Sequence, residues 1–360
     1  MAKTLRCIFV LGGLLSILPL PNANAQREPR DIEEPQAKPE GRAALSVSVN
    51  QIRVDVTVHN NDGGLITGLT ADNFIIYEDK IRQEITHFSP VEEPITVIVV
   101  VEWSRAPHII SAMDCRYQMC EWSILMDALR ASYVAVDQMR PQDWMAVVAY
   151  DIRPEILVDF TQDKNAVLQS LRKLNEPTFM ESNLFDTVWD VLDRIEELDN
   201  KVAIILLTTG IDTFSKKNLD ATLDKVRGSN AVIYPVSMGG NFRARRDQGF
   251  DRGMDMGPFG SGQNAMDWFQ ADAILKAFAK YTGGTAYFPR FQSQNADIYH
   301  QIALELRNRY ALGYVSSSTK KDDKLRKIKV DVVADVDGDG KPDKKLKVRH
   351  REGYLTKKVD

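Results

Sequence analysis

Residues 95–107, ITVIVVVEWSRAP, decide the fold. Residues 95–101 are all apolar or β-branched, and an acid, an indole, a hydroxyl and a base follow at Glu102, Trp103, Ser104 and Arg105. A short run of this kind, without alternation, predicts a strand buried on both faces of a parallel sheet. Such strands end at the sheet edge where α/β proteins hold their ligands. Glu102 and Ser104 are therefore the remains of a metal motif, a working variant of one, or a simple turn.

Downstream, strand and helix signals alternate. Helices are expected near 121–139, 164–174, 183–198, 218–227 and 267–281, and strands at 144–150, 155–160, 202–209, 231–238 and 284–288. That alternation predicts an α/β core with a mostly parallel sheet and helices on both faces. The flanks read differently. LSVSVNQIRVDVTVHN (45–60) alternates, and FIIYEDKIRQEITHF (74–88) predicts two strands about a turn at Glu78-Asp79-Lys80. After a helix at 295–310, YALGYVSSS predicts a strand, and LRKIKVDVVADVDGDGKPDKKLKVRHREGY predicts a hairpin with a long acidic tip. β segments at both ends of an α/β core are expected to pair with each other. Segments 45–90 and 306–356 would then form a small sandwich-like β domain carrying the core, 91–305, as an insertion.

Of the 360 residues, 44% are hydrophobic and 27% charged, as in ordinary globular proteins. A net charge of −4 argues against a nucleic-acid binder, which needs a basic face. Residues 1–25 have a basic start, an apolar stretch from Cys7 to Leu20 and Ala23-Asn24-Ala25 before the expected cut, so they read as a secretory signal peptide. The stretch is too short for a membrane anchor, and after cleavage no spanning segment is expected; the product would be secreted or periplasmic. Residues 26–44 are polar, contain proline and read as a disordered linker. In an oxidising compartment Cys115 and Cys120 are expected to form a local disulfide, with free thiols as the alternative. A zinc pair would need a second Cys/His pair at ligand spacing, and the sequence has none.

Two flanking stretches, VDVTVHNNDGGLITGLTADNFIIYEDKIRQEITHF and IALELRNRYALGYVSSS…LRKIKVDV…VRHREGY, together with the core between them, resemble a known family. About residues 46–356 are similar to von Willebrand factor type A domains, and more closely to the exported von Willebrand factor type A-related proteins of acidobacteria. The resemblance implies a Rossmann-like core, a metal-ion-dependent adhesion site at the C-terminal sheet edge, and ligand binding without catalysis. The family's first loop, Asp-x-Ser-x-Ser, corresponds to Glu102-Trp103-Ser104-Arg105-Ala106, so the last hydroxyl is missing. Ser182 stands for the family's threonine, and Thr209 replaces its aspartate in Leu207-Thr208-Thr209-Gly210. One carboxylate and few hydroxyls, with Arg105 adding positive charge, form a poor set for Mg²⁺, which wants near-octahedral oxygen ligands. Asp212 and Asp186 are nearby in sequence, with helix capping as their ordinary use. A degenerate site without bound Mg²⁺ is expected.

A second metal signal is Asp335-Val-Asp337-Gly-Asp339-Gly340-Lys-Pro-Asp343, with acids at positions 1, 3, 5 and 9 of an EF-hand-like loop and glycine at position 6. Leu346 stands where the bidentate Glu belongs, so weak Ca²⁺ binding and a solvated turn are both open readings. The long Gly-, Arg- and Met-containing segment 241–268 leaves from the same sheet edge as Glu102. No phosphate-cradling loop, dinucleotide fingerprint or nucleophile elbow is present, so no enzyme is expected. The expected function is recognition of a protein partner at the upper sheet edge by Trp103, Arg105, Asp212 and the 241–268 segment. The alternatives are an envelope scaffold and a calcium-stabilised module; oligomeric state is left open.

Overall fold

The computed structural model describes residues 51–90, 94–105, 123–175, 177–196, 198, 202–238, 263–290, 293–318, 322, 324–335, 343 and 346–356, except the side chains of 123–124 and 263–268. The expected signal peptide, linker, cysteine pair, Ala106, Asp337, Asp339 and most of segment 241–268 lie outside these residues. Four strands precede the core: β1 (Gln51–His59), β2 (Phe74–Glu78), β3 (Ile81–Gln83) and β4 (Ile85–Pro90). The core comprises β5 (Thr96–Glu102), α1 (Ser123–Asp137), β6 (Trp144–Tyr150), β7 (Pro154–Thr161), α2 (Lys164–Leu171), α3 (Leu184–Arg194), β8 (Val202–Thr208), α4 (Leu219–Gly228), β9 (Val232–Ser237), α5 (Gln263–Thr282) and α6 (Gln294–Arg307). Four more strands follow: β10 (Tyr310–Val315), β11 (Leu325–Val332), β12 (Lys347–Arg349) and β13 (Gly353–Leu355).

The core sheet has the order β7-β6-β5-β8-β9 and is parallel except for the edge strand β7. All seven residues of β5 are buried, as the unbroken apolar run requires. Val97, Val99 and Val101 pack with Leu125 of α1 and Ile302 of α6, while Ile98 and Val100 pack with Val188 of α3 and Phe278 of α5. Helices therefore cover both faces. The fold is α/β with a mostly parallel sheet. The strand expected at 284–288 is reduced to one bridge, Val236↔Tyr287, because the sheet edge there offers pairing over a single residue.

Two four-stranded antiparallel sheets, β12-β1-β10-β4 and β13-β11-β2-β3, accompany the core. Each takes strands from both flanks, and Val54, Val56, Leu312 and Tyr314 of one sheet meet Phe74, Ile76, Ile328 and Val330 of the other. Their inner faces meet as in a face-to-face sandwich; burial alternates along β2, whereas residues 56–59 of β1 and 310–314 of β10 are buried throughout. The turn Asp79-Lys80 has positive φ at both residues, 47° and 72°, the geometry of a two-residue hairpin loop. Two expectations need correction. Residues 74–90 form three strands, because β4 leaves β3 to pair with β10 in the opposite sheet. Residues 325–355 are no simple hairpin: β11 pairs with β13, whereas β12 crosses to β1. The crossing lets Val330 and Val348 face the same core from opposite sides.

Candidate functional site

The chain passes from β5 to β6 on one side of the central strand and to β8 on the other. The C-terminal ends of β5 and β8 thus flank a topological switch point, where open α/β sheets form their ligand crevice. Glu102 ends β5, Thr208 ends β8 and Thr209 follows it; all three are fully buried.

The Glu102 carboxylate is enclosed by donors. Oε2 accepts from Thr208 Oγ1 at 2.8 Å, Thr209 N at 2.7 Å and Thr209 Oγ1 at 2.9 Å, and Oε1 accepts from Ser104 Oγ at 3.3 Å. The hydroxyl oxygens are themselves engaged. Thr208 Oγ1 accepts from Gly210 N at 2.9 Å and contacts the Tyr150 hydroxyl at 2.8 Å, while Thr209 Oγ1 accepts from Ile211 N at 3.3 Å. The turn depends on Gly210, whose φ is +82° and whose missing Cβ would meet Leu275 Cγ at 3.0 Å. Burial raises the Glu102 pKa against these hydrogen bonds and, with the Glu102 charge, pushes the Tyr150 phenol well up.

This donor set does not fit a resident Mg²⁺. A hard cation needs lone pairs, and here the hydroxyl protons point at the carboxylate while their oxygens face backbone N–H groups. Ser182 is the exception: it is fully buried and acts on the Tyr150 phenol, yet its Oγ lacks a hydrogen-bond partner of normal geometry. Among the described residues no three His, Cys, Asp or Glu side chains cluster to hold a metal.

Asp212 works at the start of α3. Its Oδ1 accepts from Leu184 N at 2.8 Å and from Ser215 Oγ at 2.6 Å, capping a helix whose own N-cap, Asn183, makes no side-chain cap bond. Burial raises the Asp212 pKa against those bonds. Asp186 accepts from the backbone N–H groups of Lys216 and Lys217 at 3.0 and 2.8 Å, tying the loop after β8 to the helix.

Trp103 turns inward. It is 7% exposed, packs in the core and donates Nε1–H to Asn175 O at 2.7 Å. Arg105 is exposed, held through its backbone N–H to Phe179 O at 2.7 Å. Three apolar side chains that pattern reading passed over are exposed at this edge: Phe179 at 41%, Met180 at 48% and Phe214 at 53%. Thr213 and Phe214 donate backbone N–H to Ser182 O, so both loops converge around Ser182. The signal available in sequence was apolar residues inside the loops that carry Ser182 and Asp212. Of the acidic loop, Asp335 and Asp343 are described, with Asp343 N donating to Ala334 O at 2.8 Å.

Glu102→Gln tests the buried carboxyl. A raised native pKa means that the group's favourable contribution is present below the unfolded value, near 4.5, and is lost as pH rises through the folded value. The variant, neutral throughout, should therefore gain stability relative to the parent from about pH 4.5 upward in urea titrations. A difference that stays flat with pH would reject the assignment.

No family model matches the chain, and no curated protein matches it. Many solved structures are similar to it, and three of them serve as examples. An aerotolerance-related membrane protein from Bacteroides fragilis is similar at 12% identity and a TM-score of 0.41, over 59% of this chain and 99% of the other. The von Willebrand factor domain of the type V pili tip protein Mfa5 from Porphyromonas gingivalis is similar at 17% identity and a TM-score of 0.36, over 61% and 96%. The von Willebrand factor type A protein from Catenulispora acidiphila is similar at 13% identity and a TM-score of 0.39, over 84% of this chain and 74% of the other.

Proposed function

We propose that this is an exported, non-enzymatic binding protein that recognises a protein partner at the C-terminal edge of its parallel sheet without a bridging cation. The observation that carries the reading is the exposed apolar trio Phe179, Met180 and Phe214 beside exposed Arg105 at the switch point. Apolar and arginine side chains in a water-accessible rim are the usual anchors of protein recognition. Trp103 would hold the β5 loop in place from below, and segment 241–268 would add contacts from the same edge. Glu102, Ser104, Ser182 and Thr209 would set the loop geometry in place of binding metal. Relative to the adhesion-site pattern the sequence resembles, Ala106 lacks a hydroxyl and Thr209 carries a hydroxyl in place of a carboxylate.

The test is affinity recovery from native envelope or culture fluid. Wild-type protein should recover a partner in EDTA, and combined Phe179→Ser, Met180→Ser, Phe214→Ser and Arg105→Glu substitutions should abolish it. Unchanged recovery by the variant, or loss in EDTA, would sink the proposal.

A second reading rests on the four acids Asp335, Asp337, Asp339 and Asp343, whose mutual repulsion Ca²⁺ would relieve. Millimolar Ca²⁺ should then raise Tm, and Asp339→Asn should remove the rise; no shift excludes a calcium-stabilised module. Among the described residues no helix is long and apolar enough to cross a membrane.

A further inference from the structure

At the opposite end of the sheet, a cleft of about 930 Å³ opens where β8 and β9 begin and the sandwich strands β1 and β13 approach. Its walls include Ile52, Leu192, Ile195, Val202, Val232 and Leu355. The volume is that of a small-molecule site with an apolar body.

Charge on the lining is mostly compensated. Lys225 pairs with Asp193 and, at 3.1 Å, with Glu196; Arg53 pairs with Asp55 at 3.4 Å; Asp224 pairs with Arg227 at 2.8 Å. Arg351 is different. Among the described residues its guanidinium makes one hydrogen bond, from Nη1 to Asn230 Oδ1 at 2.9 Å, and no carboxylate forms an ion pair with it. Its guanidinium carbon lies 5.7 Å from the Tyr354 ring centre, and its Nε is buried without an acceptor. Burial pushes the guanidinium pKa down, opposed at longer range by Tyr314, Asp55 and Tyr354. A guanidinium has five N–H donors, and here Nε–H is buried and unmet while the half-buried side chain leaves the remaining donors open to the cleft.

We propose that this cleft binds a small amphipathic monocarboxylate, its carboxylate on Arg351 and its apolar part along the wall of Leu192, Ile195 and Leu355. The planar fork of arginine matches a carboxylate in two parallel hydrogen bonds. A single uncompensated cation selects a monoanion; a phosphate with nearly two charges would need a second. The site is independent of the upper sheet edge, so its failure leaves the partner-binding proposal standing.

Decanoate and decanol are the probes, titrated into the whole chain by calorimetry and thermal melting. Decanoate should bind saturably and raise Tm, with decanol weaker. Asn230→Asp places a carboxylate where Arg351 already donates. It should weaken decanoate at least about tenfold, as expected for losing a charge-assisted hydrogen bond, and leave decanol unchanged. Should that variant not fold, Arg351→Gln should give the same selective loss. Equal binding of both probes, no binding, or decanoate affinity unchanged by whichever variant folds overturns the proposal.

Discussion

Glu305→Ala is expected to lower stability by about 3–5 kcal/mol, the usual consequence of removing one partner from a buried ionic network. Glu305 of α6 is buried, and its Oε1 meets Arg349 Nη1 of β12 at 2.9 Å and His59 Nε2 of β1 at 3.3 Å. Arg349 Nη1 also donates to Thr285 Oγ1 at 2.6 Å, so the network joins the α/β core to the sandwich. Burial alone would raise the Glu305 pKa. The His59 hydrogen bond and the Arg349 and Arg309 charges outweigh it and hold the carboxyl below its usual value of 4.5. A depressed carboxyl stabilises fully above its unfolded pKa, and that contribution is lost as pH falls through the folded value. Wild-type protein should therefore lose stability below about pH 4.5 more steeply than Glu305→Ala in denaturant titrations. Parallel acid limbs for the two proteins would refute the role given to Glu305.

Thr209→Asp is the second large effect. The substitution places a second carboxylate against Glu102, whose Oε2 already lies 2.9 Å from Thr209 Oγ1. Two buried carboxylates at this distance repel, and an uncompensated buried charge costs on the order of 3–5 kcal/mol. The variant should be strongly destabilised in EDTA and recover much of the loss in millimolar Mg²⁺ or Ca²⁺, which wild-type protein should not do. Recovery without cation, or a cation response in the parent, contradicts the reading of a metal-free site. Melting curves in EDTA and in cation, run on both proteins, decide it.

Much of the architecture could be read before any coordinates, for physical reasons that differ along the chain. The run 95–101 has no polar side chain beyond Thr96, so only burial on both faces suits it. The alternation at 52–58 likewise requires one face to be covered. What could not be read was pairing across sequence. Nothing local in Lys347–Arg349 shows that it joins β1 in place of β11. The hydrogen-bond partners of Trp103 and Asp212 were hidden for the same reason: Asn175 O, which accepts from the indole, and Leu184 N, which donates to the carboxylate, are 72 and 28 residues away. An indole beside an acid at a strand end looks like a contact residue until the core claims it. The reverse holds for Phe179 and Phe214, apolar residues that composition would bury and that the loops leave in water.

The sandwich is built so that Tyr310, where the chain leaves the core, lies opposite Pro90, where the chain enters it. The chain therefore enters and leaves the core at two adjacent points. Tension applied between Gln51 and Leu355 would first meet the hydrogen-bond ladders of β1 with β10 and β12 and of β11 with β13, ahead of the parallel sheet. A sheet edge mounted in this way keeps its shape while the sandwich is pulled.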